Sequence, residues 1–291
     1  MNLVLYPHSF SEDSQMVIVG AFILPHGSMI LDPKKKGLPK EAKDLHKAMI
    51  DATQAIEKLK PDLIFMTSPH GIALSNDFGI CLNKGAIASA EWENEYQDYT
   101  VKIDIDQEIS NKLLEYLLEK ETAVTGIAAY TPGVEINLRW GDAVPLWFLR
   151  NISTKPKYVL LSQPLRRHDQ TEELIPETLC LGNDLRLFFE KLKKNVVIII
   201  SADMGHTHDK DGPYGFSEDA APFDALMEEW AGSLDSKLLV KKALPKLNKA
   251  LCCGYIGFVM LQGMLEKKKL KPEVTSRSAP TYYGMMVAKY L

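Results

Sequence analysis

The chain has 291 residues, 46% of them hydrophobic and 25% charged, with a formal net charge of −4. That balance gives no electrostatic footprint for nucleic acid or an acidic membrane surface, and the short basic runs Lys34–Lys36 and Lys267–Lys269 read as solvated loops or helix ends. No apolar stretch reaches the roughly 20 residues that span a bilayer, and no charged leader precedes an apolar core, so a cytoplasmic chain without membrane contact is expected.

Taken in chain order, apolar runs of strand length alternate with segments of helical period, the pattern of an α/β sheet with parallel pairs folded as one domain over residues 1–291. The first run, Val17 to Leu24, ends in Pro25-His26-Gly27. Glu41 to Leu59 follows as an amphipathic helix, its inner face marked by Leu45, Met49, Ala52, Ile56 and Leu59. Asp62 to Thr67 is a buried strand by composition, closed by Ser68-Pro69-His70-Gly71. Residues 71–110 mix short strands with glycine-bearing turns and are the expected place for irregular structure over a site. Within and just after them, Tyr99 to Ile105 alternates like a strand, and Gln107 to Glu119 is helical with Ile109, Leu113, Leu114 and Leu117 inward.

Farther on, Tyr158 to Ser162 is a strand, Leu185 to Leu192 a helix, and Asn195 to Ser201 the most strand-like run, ending in Ala202-Asp203-Met204-Gly205-His206. Helices are predicted over Pro222 to Trp230, Lys237 to Asn248 and Ile256 to Glu266, before a closing strand from Tyr282 to Tyr290. The four cysteines, Cys81, Cys180, Cys252 and Cys253, are too few and too irregularly spaced for a disulfide framework, so reduced thiols are expected.

Of the seven histidines, His26, His70 and His206 each sit just beyond the carboxyl end of a predicted buried strand. In open α/β sheets that edge gathers side chains from distant sequence into one crevice. Imidazole is both a common ligand for borderline metals and a proton shuttle near neutral pH, so this placement predicts a metal site with an acid/base group beside it. The other histidines carry plainer readings: His8 in an N-terminal turn, His46 beside the apolar stripe of its helix, His168 in the charged loop Arg166-Arg167-His168-Asp169. His208 lies two residues past His206 and is followed by the surface turn Asp209-Lys210-Asp211-Gly212.

Pro25-His26-Gly27, Ser68-Pro69-His70-Gly71, Ser201 to His206, Asp211-Gly212-Pro213-Tyr214-Gly215-Phe216 and Phe223-Asp224 fall in the order and spacing seen in class III extradiol dioxygenases of the LigB type. The chain resembles that family from about Val17 onward, and most closely its branch containing the Memo proteins and the LigB-like part of AmmeMemoRadiSam proteins. The resemblance implies a central mixed sheet flanked by helices, with His26 and His70 as metal ligands and His206 as the catalytic histidine. It also implies Fe(II) as the cofactor, zinc or copper being the alternatives.

Two departures stand out. Where the family places a glutamate ligand, this chain has Lys249-Ala250-Leu251-Cys252-Cys253-Gly254; Memo-like relatives carry a Cys-Gly pair there, so Cys253 is the expected third ligand. Trp140, in Arg139-Trp140-Gly141-Asp142-Ala143-Val144-Pro145-Leu146, stands where the ring-cleaving enzymes carry a histidine, and with Tyr214 it is expected to shape the substrate pocket. The implied activity is dioxygenation of a catechol or aminophenol-like aromatic, with that substrate and O₂ as partners, and a homo-oligomer is compatible with it. The alternative is a Memo-like redox or partner-binding protein that holds metal without cleaving rings.

Overall fold

The computed structural model describes residues 18–72, 74–90 and 99–291; His8 and Val17 lie outside them. Its centre is made of strands with no polar side to expose. β2 (Leu63–Ser68) and β9 (Val196–Ser201) are buried at every position, as aliphatic strands are when both faces of a parallel sheet are covered. With β1 (Ile18–Leu24) and β8 (Lys157–Ser162) they form a parallel block in the order β1-β9-β2-β8.

Antiparallel strands continue the sheet on both sides. β11 (Met285–Tyr290) pairs with β1 and β10 (Pro272–Ser278) with β11, while β3 (Phe78–Cys81) pairs with β8 and carries β6 (Val124–Ile127) parallel to it. The result is an eight-stranded mixed sheet. A smaller three-stranded sheet holds β5 (Thr100–Asp104), β4 (Gly85–Ser89) and β7 (Glu135–Leu138).

Because side chains alternate across a strand, each strand feeds two cores. Ile198 and Ile200 pack with residues of α2 (Gln107–Glu119), α4 (Thr171–Phe189), α5 (Ala220–Ser233) and α7 (Tyr255–Leu265). Val197 and Ile199 pack on the other face, under α1 (Lys40–Lys58), α3 (Trp140–Leu149) and the small sheet. The architecture is α/β, a central mixed sheet flanked by helices. Among the described residues no helix is long and apolar enough to cross a membrane.

Several elements differ from the sequence expectation for identifiable reasons. The helix expected over Leu185 to Leu192 begins at Thr171. Pro176 hides its first half, but this residue is on the exposed side, where water can satisfy the carbonyl it leaves unpaired, while Leu174, Ile175, Thr178 and Leu181 are buried opposite. The helix meets α7 closely, since a Cβ on Gly182 would lie 3.0 Å from the Cα of Gly263. The helix expected over Lys237 to Asn248 starts as a π-helical turn, Leu238–Ala243, and becomes α6 (Leu244–Ala250) at Pro245.

Helix α3 and strand β10 were not predicted. The first contains Pro145, and the second alternates between partly buried and exposed side chains at the sheet edge. The closing strand begins at Met285, leaving Tyr282 and Tyr283 in the loop before it. The 71–110 segment supplies β3, β4 and β5, and among its described residues only Ser89 at the end of β4 lines a cavity of the site described next.

Candidate metal centre

The carboxyl ends of the four parallel strands open on one edge, and the loops beyond them carry His26, His70, His206 and Arg167. Strand β11 runs the opposite way, so its start lies at the same edge and brings Tyr282 and Tyr283 there. The sixth contributor comes from the far end of the sequence. Helix α6 stops at Leu251, whose left-handed conformation (φ 54°) turns the chain sharply, and Cys252-Cys253-Gly254 then leads into α7. Gly254 permits that approach: a Cβ there would be 2.5 Å from the Cβ of Ala202 and 2.6 Å from the carbonyl oxygen of Asp203.

His26, His70 and Cys253 each offer one ligand atom, and those atoms lie within 4.8 Å of one another. The His26 and His70 rings meet edge to face at 4.9 Å. Cys253 Sγ is 3.5 Å from His26 Nε2. A metal bonded to sulfur at roughly 2.3 Å and to nitrogen at roughly 2.0–2.1 Å in a tetrahedral array sets two such donors about 3.5 Å apart, so this edge has the length a metal requires. Both cysteine sulfurs approach the carbonyl of Asp203, Cys252 at 3.4 Å and Cys253 at 3.7 Å, but it is Cys253 whose sulfur converges with the two imidazoles.

Hydrogen bonds fix which nitrogen His26 presents. Ser201 Oγ donates to the carbonyl of Gly141, so it must accept from His26 Nδ1, 3.0 Å away. His26 therefore carries its proton on Nδ1 and turns the Nε2 lone pair toward Cys253, the arrangement of a metal-binding imidazole held by an outer partner. The buried carboxylate of Asp203 fastens the same turn. It accepts from the backbone N–H of His26 at 3.0 Å, and its other oxygen lies 3.4 Å from Nε2. His70 is set by its backbone N–H donating to Ser68 Oγ at 3.2 Å and by Trp140, whose ring lies 5.1 Å away. Gly141 lets that ring close in, since a Cβ there would be 2.6 Å from the Cβ of His70.

Protonation states suit the donor set. Burial, reinforced by His70 and His206, keeps His26 well below the usual imidazole range, and burial with Arg167 brings His70 to about 4. Both are thus neutral ligands at neutral pH. Burial, then the nearby Asp203, pushes the Cys253 thiol up, so without a cation it keeps its proton; a coordinated divalent ion deprotonates such a thiol. Burial also raises Asp203 to about 7.

His206 is arranged differently. Its Nδ1 donates to the carbonyl of Met204 at 2.8 Å, so in the neutral ring Nε2 carries the lone pair, with the Leu251 backbone a second polar neighbour of the ring. The ring stacks on Tyr283 at 5.6 Å, with Tyr214 and Tyr282 each at 6.1 Å, and burial lowers its pKa. Backbone bonds pin this loop to the start of β11: Met204 N–H donates to the Gly284 carbonyl and Gly284 N–H to that of Gly205, both at 2.8 Å. Asp224 braces it from below, accepting from Gly205 N–H and from His208 Nε2 at 2.8 Å each. His208 is therefore held by Asp224 and lines neither cavity of the site, and His46 donates Nδ1 to the Ile30 carbonyl at 2.7 Å.

Two cavities meet at this centre. The larger, about 630 Å³, is walled by His26, Met29, Trp140, Tyr282 and Tyr283; the smaller, about 230 Å³, by Arg167, His168, Leu251, Cys253 and Ile256. His70, His206 and Tyr214 line both. Trp140 and Tyr214 are partly open to solvent, at 42% and 58% exposure, as walls of an accessible site are. Sequence reasoning missed Ser201 and Asp203 as supports, Arg167 as a buried side chain, and Tyr282 and Tyr283 as walls. Only the first two carried a signal, being small polar residues at the end of an otherwise apolar strand.

No family model matches the chain. Protein CA_C1420 of Clostridium acetobutylicum is 23% identical over 279 residues, covering 94% of this chain and 58% of that protein, so the chain spans little more than half the length of this relative. The crystal structure of uncharacterized protein JW3007 from Escherichia coli K12 superposes with a TM-score of 0.57 at 13% identity, over 93% of this chain and 98% of that one. The likeness is one of fold.

Proposed function

We propose that the chain is a non-haem metal-dependent oxidoreductase of the LigB extradiol type, holding Fe(II) through His26, His70 and Cys253 and acting on a catechol or aminophenol-like aromatic. The observation that carries this reading is the convergence of two neutral imidazoles and a thiol within 4.8 Å, beside a histidine whose Nε2 carries the lone pair. Bound there, iron supplies Lewis acidity toward the ortho heteroatoms of the ring and a redox couple for O₂. The protein's own residues do the rest. His206 Nε2 takes a proton from the ortho hydroxyl and returns it as the ring opens, and its lowered pKa keeps the ring unprotonated and ready to accept at neutral pH. Trp140, Tyr282 and Tyr283 present aromatic walls to the ring. The overall reaction places both atoms of O₂ across one ring carbon–carbon bond and needs no other reductant. Free thiols throughout fit a cytoplasmic location.

One observation favours a second reading, a Memo-like metal-binding redox or partner-binding protein without ring cleavage. Trp140, which lies 5.1 Å from His70, cannot accept or relay a proton where the resemblance implies a histidine. A single set of measurements separates the two. Protein purified without oxygen should contain about one iron per chain and develop an iron–catecholate absorption band with catechol; oxygen uptake on mixing with air then supports cleavage, and its absence supports the second reading. His206→Asn should keep the metal and remove the acid limb of the pH profile of turnover, which a lowered His206 pKa places below the ordinary imidazole range. Metal loss as severe as in His26→Ala would overturn the role given to His206.

A further inference from the structure

Arg166 and Arg167 are neighbours with opposite fates. Arg166 reaches Glu177 at 2.5 Å. Arg167 is turned inward, 9% exposed, and among the described residues it forms no ion pair. Its Nη1 donates to the carbonyls of Pro164 at 2.8 Å and Gln163 at 3.4 Å, while Nε is buried without a partner. The cavity it lines contains no Asp or Glu among the described residues, and the one group there that can turn anionic beside it is the Cys253 sulfur, whose charge a bound cation would take up. A buried cation ordinarily has an anionic partner, because removing its hydration is costly.

We infer that the smaller cavity receives the carboxylate of a carboxylate-bearing ligand on Arg167, with the ligand's reactive end toward His26, His70 and Cys253. The inference rests on the proposed function for what that reactive end is, and adds the class of substrate. Guanidinium is the side chain best matched to a planar carboxylate. Burial and Arg167 lower the pKa of His168, so with Cys253 as a thiol Arg167 is the one charged side chain among the described residues lining the cavity at neutral pH, and a monoanion matches it. Leu247, Leu251 and Ile256 supply apolar walls between the two ends.

Calorimetry on the whole chain, without oxygen and with or without iron, tests this with five probes: phenylacetate, phenylacetamide, their 3,4-dihydroxy counterparts, and benzylphosphonate. Each acid is expected to bind at least about tenfold more tightly than its amide. Arg167→Gln should abolish that preference and leave the iron content intact. Equal affinity of acid and amide, or no binding of any probe, overturns the inference. So does tighter binding of benzylphosphonate than phenylacetate, which would point to a dianion. Because Arg167 also holds the turn at Gln163 and Pro164, the acid–amide comparison in the unmutated protein decides the matter if the variant does not fold. The ring hydroxyls report separately. Acids that beat amides without any gain from the hydroxyls retain the anion pocket and remove the catechol reading; a gain from the hydroxyls with no acid preference does the reverse.

Discussion

Cys253 and Ser201 make the most specific demands at the level of single side chains. Cys253→Ser should weaken metal binding by more than the roughly 10–100-fold typical of losing an outer partner, while Cys252→Ser, whose sulfur faces the Asp203 carbonyl, should leave it near the unmutated value. Since the Cys253 thiol is held protonated by burial, binding expels one proton. Metal affinity is then expected to rise about tenfold per pH unit through neutrality, a slope the serine variant should lack when both are titrated by competition with a chelator. Ser201→Ala removes the acceptor that fixes the His26 tautomer, and metal affinity should fall about 10–100-fold with the fold intact by circular dichroism. Some of this was legible from the sequence. His26 and His70 could be placed because apolar runs locate strand ends, and Gly254 singled out one cysteine of two. The inward turn of Arg167 could not, because a guanidinium in a charged loop carries no local mark of burial.

At the scale of elements, helix α3 concentrates what the sequence concealed. Its apolar composition and internal Pro145 give no helical period, yet it delivers Trp140 and Gly141 to the site and buries Asp142 in its first turn. Asp142 is 4% exposed, one of its oxygens has no partner among the described residues, and burial raises its pKa to about 7. The sign follows from comparing states. The unfolded carboxyl ionises near 3.8 and the folded one near 7, so the stability this group contributes is complete below 3.8 and is lost as pH rises through about 7. Over that interval the loss is at most about 1.4 kcal/mol per pH unit, and less to the extent that the helix N-terminus favours the anion. Asp142→Asn should remove this group's share of the dependence, so the urea midpoint at pH 8 should gain relative to that at pH 5 when the variant is compared with the parent protein, while Asp203, raised likewise by burial, keeps its own share.

For the molecule as a whole, ligands at positions 26, 70 and 253 tie three distant parts of the chain to one point. A cation that binds only when all three have been brought together stabilises the folded state by about 2.7 kcal/mol at a hundredfold excess over its Kd. That corresponds to a rise in Tm of roughly 5 °C for a chain of this size. Thermal melts with iron and with a chelator check this, and identical melting curves would count against a preformed site. The four strands of the block β1-β9-β2-β8 were legible as hydrophobic runs, but their order in the sheet was not. On the antiparallel flank β11 was legible as a closing strand, begun three residues early at Tyr282, whereas β10 alternates weakly and was not. The two cavities that share His70, His206 and Tyr214 have a kinetic consequence. The centre has two doors, so a molecule lodged behind Arg167 leaves the way past Trp140 open. Inhibitors fitted to opposite sides should then occupy the protein together, and a small second reactant need not wait for the first to leave.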